Sequence, residues 1–220
     1  MKKIKEIPVT IPIGKSKLEG DLFFLEDTKG IVLFAHGSGS SRFSPRNRYV
    51  ANVLNEAGIA TLLMDLLTKE EEEIDLRTAQ FRFDIDLLSQ RLIGATEWVK
   101  KNPSTRNLAI GYFGSSTGAA AALIAAAKLP ADIMAVVSRG GRIDLALEYL
   151  PQVKAPILSI VGGNDTVVLD LNLEAMKYIS AEKKLEIVPG ASHLFDEPGK
   201  LEEVAKLATK WFLQHLRINR

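Results

Sequence analysis

Residues 108–128 read LAIGYFGSSTGAAAALIAAAK. The first five form a short apolar run of strand length, and residues 117–128 carry the composition and spacing of a helix. Between them Gly114-Ser115-Ser116-Thr117-Gly118 matches G-x-S-x-G in a strand-to-helix context. A serine raised on so sharp a turn takes a strained backbone, and its neighbours must be small so that strand and helix can approach. Gly114, Gly118 and the alanines at 119–122 meet that demand. The free N–H groups of the helix start favour negative charge at the same point. Ser116 is therefore the candidate nucleophile, and Ser115 lies one place off the motif register. The plainer alternative is a glycine-containing turn whose serine caps a helix.

Outward from this stretch, strand and helix patterns alternate. Residues 31–35, 60–64, 134–137, 157–161 and 185–188 are short, nearly continuous apolar runs, as expected of strands buried on both faces of a parallel sheet. Residues 6–13 and 17–24, separated by the turn residue Gly14, suit an antiparallel hairpin at the sheet edge. Helical spacing marks residues 49–56, 85–101, 170–178 and 201–216, with Gly58 and Pro103 as stop signals. The expectation is a single α/β domain over residues 1–220, with a mainly parallel sheet of about eight strands flanked by helices. In such folds the working residues follow the carboxyl ends of strands. Residues 134–156 leave room for a loop and one short helix but not for a large cap.

The 220 residues have net charge +1, with 46% hydrophobic and 25% charged residues. This balance gives no electrostatic footprint for nucleic acid or anionic lipid. There is no cysteine, which removes disulfides, thiolate metal sites and a cysteine nucleophile together. Residues 1–10 carry lysines without an apolar run of signal-peptide length, and the most apolar stretch, around 119–127, is too short to span a bilayer. A cytoplasmic enzyme or binding protein is expected, with no membrane or nucleic-acid partner. Lys69 to Glu73 reads as a solvated acidic run, and Arg42, Arg46 and Arg48 form a local basic cluster.

Chains built on this elbow order their reactive residues serine, acid, histidine. Of the three histidines, His193 follows the last core strand, in Pro189-Gly190-Ala191-Ser192-His193. His215 falls near the end of the final helix and reads as a surface or helix-terminus residue. Asp165 closes Gly162-Gly163-Asn164-Asp165 after the 157–161 strand and is the favoured acid. A turn or helix cap is its plain alternative, and Asp170, at a presumed helix start, is the weaker candidate. His36-Gly37-Ser38-Gly39 follows the 31–35 strand, where one oxyanion-hole N–H is expected from Ser38, or Gly39, and the other from Thr117. His36 is expected to shape that loop by hydrogen bonding. A dinucleotide fingerprint fails because Arg42 stands where its third glycine belongs.

Taken together, HGSGSSRFSPRN (36–47), GYFGSSTGAAAAL (111–123), VSRGGR (137–142), GGND (162–165) and PGASHLF (189–195) give a chain that resembles the α/β-hydrolases, specifically the small dienelactone hydrolase-like group. The resemblance runs from about residue 30 to the C-terminus. It implies an α/β-hydrolase fold without a large cap, and a Ser116–Asp165–His193 triad working through an acyl-enzyme on a small ester, thioester or lactone. No metal or organic cofactor is implied. Dienelactone hydrolases use a cysteine where this chain has Ser116, which turns the expectation from dienelactone itself towards generic ester chemistry. Arg46 and Arg139 are candidates for binding a substrate carboxylate, or for pairing with surface acids such as Asp144. An acyltransferase and a non-catalytic small-molecule receptor on the same fold are the alternatives; oligomeric state is not legible.

Overall fold

The protein is described by a computed structural model covering residues 5–24, 28 and 30–216. One sheet of eight strands organises it, in the order β1-β2-β4-β3-β5-β6-β7-β8. β1 (Lys5–Ile13) and β2 (Ser16–Phe24) form the edge hairpin, closed by Gly14-Lys15. β2 also pairs antiparallel with β4 (Ala60–Met64). Every later neighbour pair is parallel, through β3 (Gly30–Ala35), β5 (Ala109–Ser115), β6 (Ile133–Arg139), β7 (Ile157–Gly162) and β8 (Lys183–Val188).

All residues of β3, β4 and β7 are buried, which explains their unbroken apolar runs. One face packs against α3 (Ile85–Lys101), α4 (Thr117–Lys128) and the end of α5 (Thr166–Ala175), through Leu92, Ala95 and Leu123. The other packs against α1 (Pro45–Glu56) and α6 (Lys200–His215), through Leu54, Ala208 and Phe212. Eleven of the twelve α4 residues are buried, so this helix is apolar around its whole circumference. Its alanines let it lie close on the sheet and hold the end of β5 rigidly.

The remaining helix, α2 (Lys69–Thr78), occupies the stretch expected to be only a solvated acidic run. A capping box starts it: the Glu71 N–H donates to Thr68 Oγ1, and the Thr68 N–H donates to the Glu71 carboxylate. Three glutamates in its first turn complement the helix dipole. Between β6 and β7 the chain forms two 3-10 turns, Ile143–Ala146 and Leu150–Gln152, and no large cap. Among the described residues no helix is long and apolar enough to cross a membrane.

Candidate active site

β5 runs three residues further than its apolar pattern and ends at Ser115, so Ser116 stands at the turn into α4. Ser116 has φ +50° and ψ −122°, a conformation that L residues rarely adopt. Gly118 shows why the motif must be small here. A Cβ on it would lie 2.2 Å from the Ala35 carbonyl oxygen and 2.5 Å from that of His36. The Ser116 N–H donates to the Arg139 carbonyl at 3.2 Å, and its own carbonyl accepts from the N–H groups of Ala119 and Arg142. Ser116 occupies the N-cap position of α4, yet its side chain makes no capping hydrogen bond. Ser115 is buried and donates through Oγ to Asn47 Oδ1 at 2.9 Å, which directs it into the α1 layer and away from the turn.

Asp165 is likewise an N-cap residue whose carboxylate does not cap its helix. Instead it lies 2.6 Å from His193 Nδ1. An ionised carboxylate only accepts, so Nδ1–H is the donor and Nε2 is left with a free lone pair. Asp170, expected at a helix start, lies inside α5 and is exposed. Gly140, at φ +51°, separates the ring from the elbow. A Cβ on it would sit 3.4 Å from both Nδ1 and Cε1 of His193, while the preceding carbonyl holds the Ser116 N–H. Asn172 of α5 steadies this spacer by donating to the Gly141 carbonyl at 2.8 Å. The histidine loop closes on itself: the Ser192 N–H donates to the Glu197 carboxylate at 3.0–3.1 Å, an interaction that holds the Glu197 carboxyl below its ordinary pKa. Among the described residues no hydrogen bond joins Ser116 Oγ to His193; Gly140 touches the ring, and the residue before it holds the Ser116 N–H.

His36 lies beneath the loop that follows β3. Its Nδ1 is 2.9 Å from the Gly37 carbonyl, and its Nε2 accepts from the Leu66 N–H at 3.1 Å. Those partners fit only the neutral Nδ1–H tautomer, and burial pushes the imidazole pKa below its ordinary value. The Ser38 N–H points to the elbow but donates to Thr117 Oγ1 at 2.9 Å. The two expected oxyanion donors are thus adjacent, and in this state the Ser38 amide is held by the Thr117 hydroxyl.

Gly37, Ser38 and Gly39 form one wall of a cleft whose other side includes Leu67, Leu76 and Arg82. Arg82 donates through Nε to Asp75 Oδ2 at 2.6 Å and through Nη2 to the Asp75 carbonyl at 2.8 Å. Burial raises the Asp75 carboxyl, but the N–H groups of Arg82 and Phe81 and the Arg82 guanidinium outweigh it and leave the pKa lowered. These α2 and α3-approach residues were missed in the sequence because α2 itself was. The Thr68-x-x-Glu71 box was the available signal.

The basic cluster at 42–48 is paired with several acids, Asp21 lying between Arg42 and Arg48. Arg42 pairs with Asp65, Arg48 with Asp21 and Glu6, and Arg46 with Asp196 at 3.1 Å. Asp144, considered as a partner for Arg46 or Arg139, pairs with its neighbour Arg142 at 2.8 Å. Arg139 is only 7% exposed, and neither it nor Arg46 lines the Gly37–Leu76 cleft. His215, expected at the surface or at a helix terminus, stands in the last turn of α6 with its side chain largely buried, its ring 4.4 Å from that of Trp211. Among the described residues no three His, Asp or Glu side chains converge as a metal-binding group.

The model of the dienelactone hydrolase family matches residues 25–217. The chain belongs to the dienelactone hydrolase family. A dienelactone hydrolase structure from Anabaena variabilis is 59% identical, with a TM-score of 0.96 over 97% of this chain and 99% of that one. Two Mycobacterium tuberculosis proteins, whose names offer phosphoribosyl transferase only as a proposal, are 55% identical over 213 residues. That match covers 97% of this chain and 47% of theirs, so the chain spans about half the length of those relatives. Est1E from Butyrivibrio proteoclasticus, at 17% identity and a TM-score of 0.79 over 94% of this chain and 98% of its own, shares the α/β-hydrolase fold.

The fold of this family puts the candidate chemistry at the carboxyl ends of β3, β5, β7 and β8. Each of these strands delivers one part: the Ser38 loop, Ser116, Asp165 and His193. The His193 side chain is 38% exposed while that of Asp165 is 12% exposed, so the ring is reached by solvent and the carboxylate behind it is mostly shielded.

Proposed function

We propose that the protein is a serine hydrolase that cleaves carboxylic esters, thioesters or lactones through an acyl-enzyme on Ser116. The observation that carries this reading is the diversion of two N-cap side chains. Ser116 and Asp165 stand where serine and aspartate ordinarily cap helices, and neither does so. Asp165 binds His193 instead, and Ser116 stands on a strained turn whose N–H is held by the residue before Gly140, the glycine that touches the same ring.

In this mechanism His193 Nε2 takes the proton from Ser116 Oγ as the oxygen attacks the substrate carbonyl. Asp165 keeps the proton on Nδ1 and stabilises the imidazolium that forms. The oxyanion accepts from the Thr117 N–H and from the Ser38 N–H, which turns from Thr117 Oγ1 towards the substrate. Each donor contributes about 3 kcal/mol of transition-state stabilisation. His193 then returns its proton to the leaving group and activates the water that frees the acid. The transferase named for the mycobacterial relatives is not carried over, because the shared region is about half of those proteins and is the part matching a hydrolase family.

A fluorophosphonate probe on folded protein, read by intact mass, tests the assignment alongside an esterase panel of increasing acyl length. Labelling at Ser116 with loss of turnover in Ser116→Ala is expected. Full turnover by Ser116→Ala would remove the mechanism.

A further inference from the structure

We propose that the cleft between the Ser38 loop and α2 is the acyl-binding groove of the site, and that Leu76 within it selects esters of neutral, apolar acids. This deepens the hydrolase reading and rests on it for the word acyl.

The first support is the orientation of α2. Its one buried residue is Asp75, whose carboxylate accepts from the N–H groups of Phe81 and Arg82 and from Arg82 Nε. The next residue, Leu76, is turned out and is 73% exposed. Single exposed leucines are ordinary. Leu76 is set apart because it stands on the wall of a cleft, together with Leu67 and the buried Leu88, with Gly37, Ser38 and Gly39 on the other side. Polar contacts fix it there from both ends of the helix. Glu71 of the capping box also pairs with Arg91 at 2.5 Å, and Asp75 ties the exit of α2 to the approach of α3. The leucine is thus held as an apolar wall that the protein leaves largely uncovered.

Charge narrows what can lie against that wall. Arg82, the one cation among the described residues of the cleft, is held by Asp75, and Asp65 pairs with Arg42. His36 engages both ring nitrogens, with the Gly37 carbonyl and the Leu66 N–H. The ion pairs cancel, and Glu72 adds a negative charge on the same face of α2, one turn before Leu76. An anionic tail would meet Glu72 without gaining a cation, so the groove suits a neutral chain.

Sheet order tells which half of the substrate enters the groove. Ser116 follows β5; His193 follows β8 on one side of it, and α2 follows β4 on the other. The leaving oxygen must lie beside His193 to receive its proton. With the carbonyl oxygen at the Ser38 and Thr117 N–H groups, the acyl chain extends the opposite way, towards β3 and β4. The loop that carries the Ser38 donor is itself a wall of the cleft. Gly37 brings this loop against the nucleophile, since a Cβ on it would lie 3.1 Å from Ser116 Cβ. The groove is therefore continuous with the reacting atoms, and its occupant is the acyl group.

Steady-state kcat/KM on methyl acetate, methyl hexanoate, its isomer pentyl acetate and monomethyl adipate tests this. Methyl hexanoate should exceed methyl acetate by about tenfold or more, because the added methylenes leave water. Pentyl acetate, with the same methylenes on the alcohol, and monomethyl adipate, with a terminal carboxylate, should each gain less than about threefold. Leu76→Ser should lower the hexanoate-to-acetate ratio by about fivefold, and Leu76→Met should keep it. Calorimetric titration of Ser116→Ala protein with methyl hexanoate should show saturable binding that Leu76→Ser weakens. An equal gain for pentyl acetate or monomethyl adipate overturns the proposal, as does a ratio unchanged in Leu76→Ser or the absence of saturable binding. The titration needs no turnover, so it stands apart from the hydrolase reading, which fails separately if Ser116→Ala retains full turnover of methyl acetate.

Discussion

Asp165→Asn separates the two readings of Asp165 by several orders of magnitude. As a helix cap, asparagine is as good as aspartate, so the change would alter stability by a few tenths of a kcal/mol and leave turnover alone. The structure points the other way, because the carboxylate makes no capping bond and lies 2.6 Å from His193 Nδ1. In the variant an amide NH2 facing the ring holds Nδ1 as an acceptor and moves the ring proton to Nε2. The base then cannot take the Ser116 proton. If the amide turns its oxygen to the ring, the tautomer is kept, but the charge that stabilises the imidazolium is lost. The comparable substitution in serine proteases lowers kcat about 10⁴-fold, which at about 1.36 kcal/mol per decade is about 5.4 kcal/mol of barrier. Steady-state hydrolysis of an activated ester, with Tm measured on the same preparations, checks it. A kcat within tenfold of the parent, at unchanged Tm, would refute the assignment of Asp165 to His193.

Gly118→Ala should destabilise the protein by about 2–3 kcal/mol, because its Cβ meets backbone oxygens of Ala35 and His36 that cannot move without opening the end of β3. At about 2–4 °C per kcal/mol for a chain of this size, an unchanged Tm would contradict that packing. Ser116→Gly should abolish esterase turnover and leave Tm equal or higher, since glycine relieves the +50° φ and no capping bond is lost; a clear fall in Tm would count against the strain. The buried His36 is neutral in the fold, with its pKa depressed below 6.5, so the unfolded chain binds the proton first. Stability should therefore fall as pH drops below about 6.5, and His36→Asn should flatten that slope in urea midpoints measured against pH.

Much of this architecture is legible in the chain because parallel strands covered on both faces must be apolar throughout. That rule located β3, β4 and β7 within a residue of their ends. It stopped β5 and β6 too early, since Gly114-Ser115 and Ser138-Arg139 do not look like strand yet continue the ladder beside each other. α2 escaped because Ile74 and Leu76 are its only large apolar residues, and both are exposed. The elbow serine, the loop acid and the loop histidine fell where strand ends were expected to deliver them. The arginines did not follow local pattern. Arg46 finds Asp196 150 residues away, and the burial of Arg139 is a property of the packed α1 layer.

The site also shows how local rules yield to arrangement. A serine and an aspartate before helices predict caps worth about 1 kcal/mol each, and the structure forgoes both. Each helix start is left with free N–H groups that favour negative charge beside them. The loss is tolerated because α4 is held by burial from Thr117 to Ala127 and not by a capping bond. An elbow at the end of a fully buried helix can keep a residue at φ +50° that an exposed helix start would relax. The alanine-rich sequence of α4 is thus part of the candidate site: close packing of small residues fixes the position of Ser116 at the end of β5.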